Sequence, residues 1–187
     1  MVRTETPVCE FGQPAPDFSL PGTDGKTHTL QGERGPNGLL VMFICNHCPY
    51  VQSVRDRIIR DAHELRGLGV NSVAIMSNDP SDYPEDSFEN MKRLAADLKF
   101  PFPYLYDETQ EVAKRYGAVC TPDFFGYNKD LKLQYRGRLD ESRKEPVPNA
   151  HRDLFEAMKQ VAQTGIGPKE QIPGMGCSIK WKGGHEA

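Results

Sequence analysis

Cys45 and Cys48 stand two residues apart in Cys45-Asn46-His47-Cys48-Pro49. At that spacing the second sulfur reaches the first and closes a small disulfide ring, so the pair can cycle between dithiol and disulfide. The apolar run over residues 39–44 predicts a buried strand leading into this turn. Val51, Val54, Ile58, Ile59, Ala62 and Leu65 recur at helical intervals and predict a helix over about residues 50–66. The turn therefore opens a helix, where free backbone N–H groups and the helix dipole favour a thiolate, the reactive form of cysteine. Cys45, nearer the strand end, is expected to be the exposed nucleophile.

Other residues qualify or compete with that reading. His47 lies between the thiols; it either adds positive charge beside a thiolate or is a solvent-facing turn residue. Cys120 is an additional resolving thiol, part of a Cys45/Cys48/Cys120 metal site, or a small buried hydrophobe. Cys177 either reaches back from the tail as a resolving cysteine or serves only packing. Cys9 is incidental. A second CxxC is missing, so a four-cysteine zinc site cannot be built locally. His28, His63, His151 and His185 have no partners at ligand spacing. The residues call for no metal and no cofactor.

Composition bounds the function. The 187 residues suit one domain with its own core. A net charge of -3, without a dense basic block, gives no reason to invoke nucleic acid. No apolar run approaches the ~20 residues of a membrane span, and the N-terminus has no signal-type hydrophobic region. Five cysteines are too few, and odd in number, for a secreted disulfide scaffold. These observations point to a cytoplasmic protein.

The positioning elements alternate. Residues 1–11 read as a loose lead-in, and residues 12–21 are too proline-rich for a helix or a central strand. A short strand is predicted over 27–30. Residues 70–76 form a second core strand, which with the first strand and its helix makes a parallel crossover unit. A helix over 87–98 has Ser87 or Asp86 as cap. Residues 104–106 are a short extended piece, and a helix over 108–116 ends at Gly117. A strand after Pro122 and another over 131–135 form an antiparallel hairpin that places Phe124, Phe125, Tyr127 and Tyr135 in the core. A last helix spans 150–164, with Leu154, Phe155, Met158 and Val161 facing inward. The main domain covers 12–165, and the tail 166–187 carries enough apolar side chains to pack.

The order of parallel unit, CxxC, later Thr121-Pro122, hairpin and terminal helix resembles a thioredoxin fold: α/β, with a central mixed sheet flanked by helices. Within it the chain is similar to the peroxiredoxin-like branch of the alkyl hydroperoxide reductase/thiol-specific antioxidant (AhpC/TSA) superfamily. Three segments carry the likeness. Pro14-Ala15-Pro16-Asp17-Phe18-Ser19-Leu20 with Asp24-Gly25-Lys26 is similar to the signature shared by peroxiredoxins and the bacterial thioredoxin-like reductases of cytochrome maturation. Cys45-Asn46-His47-Cys48-Pro49-Tyr50 resembles a subgroup's active-site segment. Val119-Cys120-Thr121-Pro122, followed by Tyr135-Arg136-Gly137-Arg138-Leu139-Asp140, resembles its second half.

The resemblance implies a cis Pro122 beside the Cys45–Cys48 turn, leaving the preceding backbone free to hydrogen-bond an extended substrate chain. It also implies thiol–disulfide exchange. Cys45 attacks a substrate disulfide, and Cys48 then resolves the mixed disulfide, or the reverse oxidises a dithiol. The expected partners are a protein or small-molecule disulfide or dithiol and a separate electron donor, with the chain a monomer or homodimer. A stabilised thiolate raises the expected reduction potential above that of thioredoxin.

Two departures qualify the likeness. Thioredoxins place a tryptophan where Ile44 stands and bury an acid in the preceding strand, which has none here. Peroxiredoxins carry Pro-x-x-x-Thr/Ser-x-x-Cys; setting Cys48 at the peroxidatic position puts Cys45 at the hydroxyl residue and Val41 at the proline. A thiol peroxidase is therefore the first rival, with Arg136 or Arg138 steadying the thiolate. A metal-binding or non-catalytic module is the second.

Overall fold

The computed structural model describes residues 2–184. Its centre is the apolar run anticipated before the cysteines, now strand β4 (Gly38–Phe43), buried at every position. Side chains alternate across a strand. Leu40, Met42 and Ile44 therefore join one core group, while Leu39, Val41 and Phe43 join another on the opposite face.

The remaining elements, in chain order, are β1 (Arg3–Glu5), β2 (Ser19–Pro21), β3 (Thr27–Thr29) and α1 (Leu30–Glu33) before β4. After β4 come α2 (Pro49–Gln52), α3 (Arg55–Gly67), β5 (Val70–Met76), α4 (Phe88–Asp97), β6 (Tyr104–Tyr106) and α5 (Glu111–Tyr116). The chain continues with β7 (Cys120–Thr121), β8 (Asp123–Asn128), β9 (Leu133–Tyr135), α6 (Asp153–Thr164) and β10 (Met175–Ser178). The central mixed sheet has the order β6-β5-β4-β8-β9. Strands β4, β5 and β6 run parallel, and β8 and β9 return antiparallel. Helices α3 and α6 pack together on one face, where Ile58, Leu65, Leu154 and Met158 enter the core. On the other face lie Val112 and Tyr116 of α5 with Phe18 and Leu20.

Two local expectations change. The single helix over 50–66 is two helices, because Val54 N–H bonds the Val51 carbonyl, a tightened turn that interrupts the α-pattern. Residues 3–5 are a strand instead of a loose lead-in, since β1 pairs antiparallel with β10 of the tail. The tail crosses a small second sheet, β1-β10-β7, in which Cys177 lies opposite Thr121. It is pinned at both ends: Gly174 exchanges hydrogen bonds with Thr6, and the Lys180 carbonyl accepts from Asp79 N–H and Gln110 Nε2.

Candidate functional site

The β4–α2 turn brings Cys45 and Cys48 under the cover of two distant segments. One is the Thr121–Pro122 peptide, which is cis and stands beside the turn as the likeness implied. Thr121 Oγ1 lies 3.3 Å from Cys45 Sγ, and the Thr121 carbonyl oxygen lies 3.2 Å from Cys48 Sγ. The other is β10. Cys177 Sγ lies 2.8 Å from Cys48 Sγ. The edge expected to be open for a substrate chain is therefore occupied by the protein's own C-terminal strand.

The exposure of the thiols differs from the sequence expectation. Cys45 is only 1% exposed and Cys48 0%, so Cys45 is not an exposed nucleophile. Burial pushes the Cys45 thiol well above its ordinary value, with hydrogen bonding to Cys48 and the charge of Asp86 acting the same way. Cys48 is driven well below the ordinary thiol range, first by the S–H of Cys177 and next by that of Cys45. Hydrogen bonds to an anion favour the anion. The helix start contributes less than the sequence suggests, because α2 is one turn long and the S–H groups of Cys177 and Cys45 act on Cys48 directly.

Asp86 is the residue that sequence reasoning placed only as a possible helix cap. Ser87 takes that role, its hydroxyl accepting from Asn90 N–H. Fully buried, Asp86 accepts from the backbone N–H of Asn46 at 2.7 Å and of His47 at 3.1 Å through Oδ1. Its Oδ2 bonds His47 Nδ1 and accepts from Asn78 Nδ2 at 3.1 Å. His47 is thus not a solvent-facing turn residue. Its ring stacks on Tyr83 with centroids 4.1 Å apart, and its Nε2 is buried without a hydrogen-bond partner. Cys45, His47 and Asp86 bring their polar atoms within 4.8 Å of one another. An acid therefore does reach this thiol, from a loop instead of the strand. The rest of the turn is held by Asn46, whose Oδ1 accepts from Tyr104 OH and whose Nδ2 donates to the Glu85 carbonyl.

Several candidates stand apart. Cys120 is buried, its thiol raised by burial, and its sulfur contacts the Pro122 carbonyl at 3.5 Å. The metal-capable group around Cys45 contains His47 and Asp86, not Cys120. Cys9 belongs to the opposite core group, near Arg136, and burial raises its thiol to about 11. Arg136 forms a buried ion pair with Asp123 at 2.9 Å, and Arg138 pairs with Asp153 at 2.6 Å. Neither arginine is hydrogen-bonded to Cys45 or Cys48 among the described residues. His28 bridges Asp24 and Glu33, and His151 meets Asp153. His185 lies outside the described residues. A cavity of about 170 Å³ beside the site is lined by Tyr50, Val54, Pro122, Phe124 and Met175 among others. Among the described residues no helix is long and apolar enough to cross a membrane.

The profile of the AhpC/TSA family matches residues 11–136. A curated relative, the chloroplastic peroxiredoxin Q of Populus jackii, is 28% identical over 116 residues. That match covers 62% of this chain and 49% of the relative, so the chain spans about half of its length. An uncharacterized conserved protein from Geobacillus kaustophilus is 45% identical over 99% of both chains, with a TM-score of 0.92. A hypothetical protein from Sinorhizobium meliloti 1021 is 38% identical over 97% of this chain and 100% of its own, with a TM-score of 0.90. A putative thioredoxin from Neisseria meningitidis, 22% identical over 80% of this chain and 90% of its own, has a TM-score of 0.62 and shares the fold.

Proposed function

The chain belongs to the AhpC/TSA family, and from that premise we propose that it is a thiol–disulfide oxidoreductase working through Cys45 and Cys48, with Cys48 as the attacking thiolate. The observation that carries this reading is the sulfur cluster itself. The S–H groups of Cys177 and Cys45 push Cys48 well below the ordinary thiol range, and thiolates are what attack disulfides.

The reaction runs in two exchanges. Cys48 thiolate attacks one sulfur of a disulfide R–S–S–R′; the Cys48–S–R bond forms, the old S–S bond breaks and R′S⁻ leaves to take a proton. Cys45 then gives its proton to the His47/Asp86 pair and attacks the Cys48 sulfur. Cys45–Cys48 forms and R–S⁻ departs, so the protein loses two electrons and the substrate gains them. A dithiol donor reverses these steps on the protein. Substrate approaches through the cavity beside Tyr50, Pro122 and Met175, residues adjoining Pro49, Thr121 and Gly176.

Against a peroxidase, Cys45 occupies the position of the peroxide-orienting hydroxyl, and Arg136 and Arg138 are committed to Asp123 and Asp153. The low cysteine count suits redox housekeeping in a reducing cytoplasm. The test treats reduced protein in parallel with glutathione disulfide and with hydrogen peroxide, then maps the thiols by mass spectrometry. Faster Cys45–Cys48 closure by the disulfide is expected. Faster turnover of peroxide, or no reaction of either cysteine with the disulfide, would overturn the proposal.

A further inference from the structure

We propose that Cys177 is a third redox thiol of this site, built into the fold by a C-terminal strand that occupies the substrate edge as a permanent internal ligand. The proposal rests on the oxidoreductase reading above and extends it from a pair of sulfurs to a relay of three.

Two independent observations carry it. The first is contact: Cys177 Sγ lies 2.8 Å from Cys48 Sγ, although the two residues are 129 positions apart. The second is the construction of the strand. Gly176 faces the Thr121 carbonyl so closely that a Cβ there would stand 2.1 Å from its oxygen. Only a residue without a side chain lets β10 press against the Thr121–Pro122 peptide, and that approach delivers the next residue, Cys177, to Cys48. The strand is not a loose flap. Ser178 N–H donates to the Val2 carbonyl, and Lys180 N–H donates to Asn78 Oδ1, while Nδ2 of the same Asn78 donates to Asp86. The tail is thus tied to the acid that holds the Cys45 turn. A cysteine kept only for packing would not need a glycine beside it to reach another sulfur.

The added step balances with the disulfide substrate as sole oxidant. Once Cys48 carries –S–R, the Cys177 sulfur attacks the Cys48 sulfur. The Cys48–Cys177 bond forms, the Cys48–S–R bond breaks, and the Cys177 proton leaves with R–SH. Cys45 then exchanges onto Cys48, forming Cys45–Cys48 and returning Cys177 to its thiol. The timing follows from contact: Cys177 is held protonated first by its hydrogen bond to Cys48 and next by burial, and capping Cys48 removes the first of these restraints.

Trypsin makes the relay readable, because cleavage at Lys and Arg leaves Cys45 and Cys48 on peptide 35–55 and Cys177 on peptide 170–180. Wild-type protein, Cys45→Ser and the double variant Cys45→Ser/Cys177→Ser are treated with 5,5′-dithiobis(2-nitrobenzoate), quenched with acid and mapped. Cys45→Ser is expected to yield peptides 35–55 and 170–180 joined by a disulfide, and the double variant a stable thionitrobenzoate adduct on Cys48. A lasting adduct on Cys48 in Cys45→Ser, with Cys177 still free, would refute the relay while leaving the oxidoreductase reading intact. Absence of any Cys48 adduct or disulfide in all three proteins would remove the oxidoreductase reading and the relay with it. Matching circular dichroism spectra establish that the serine variants retain the fold being compared.

Discussion

Asp86 holds His47 twice, accepting its backbone N–H at 3.1 Å and bonding its ring Nδ1. The same carboxylate accepts from Asn46 N–H, so one buried anion from the loop before α4 fixes the whole turn between the two cysteines. It also places negative charge beside Cys45, which opposes ionisation of that thiol.

Asp86→Asn keeps the shape and removes the charge. Its amide nitrogen cannot accept, so either the bond from Asn78 Nδ2 or those from the turn's backbone N–H groups are lost. We expect a stability loss of about 1–3 kcal/mol in urea unfolding, the usual cost of stranding a buried polar group. We also expect the pH profile of Cys45 alkylation to move to lower pH. An unchanged alkylation profile would show that Asp86 exerts no electrostatic hold on the thiol.

Gly176→Ala forces a methyl group onto the Thr121 carbonyl. Strand β10 must lift or the Thr121–Pro122 segment must give way, at a cost of about 1–3 kcal/mol for overpacking. Amides of residues 175–178 should exchange with deuterium faster than in the wild type. Retained protection there would mean that the close approach is not what seats the strand.

Cys177→Ala removes the principal donor to the Cys48 thiolate. Ultraviolet titration of thiolate absorbance should place the Cys48 transition at higher pH, with Cys177→Ser, which keeps an O–H donor, intermediate. Because a stabilised thiolate stabilises the reduced protein, the wild-type reduction potential should lie above the thioredoxin value of about -270 mV and fall in Cys177→Ala. A wild-type potential below that value would contradict the account of Cys48.

His28 supplies a pH dependence away from the sulfurs. Partial burial disfavours its charge, but hydrogen bonds that the ring donates to Glu33 and Asp24 outweigh this and raise it above its ordinary value. A raised folded-state value contributes stability that is fully present below the unfolded pKa of about 6.5 and is lost as pH rises through the folded value. Urea midpoints should therefore decline above neutrality in the wild type relative to His28→Gln. Parallel curves for the two proteins would exclude His28 as the source.

The sequence by itself determined the scaffold. The apolar run that became β4, the strand Val70–Met76, the helix ended by Gly117 and the hairpin after Pro122 are all written in short-range periodicity and turn residues. Local patterns suffice there because burial of one face and the conformational limits of Gly and Pro act over a few residues. The family likeness added the cis Thr121–Pro122 peptide. Tertiary structure alone decided which sulfur its surroundings favour for ionisation. A thiol's ionisation depends on what stands within a few ångströms, and the neighbours of this turn come from 39 positions away, in Asp86, and 129 positions away, in Cys177. A one-turn helix start would have left Cys45 and Cys48 nearly alike; the folded tail and a buried carboxylate made them different.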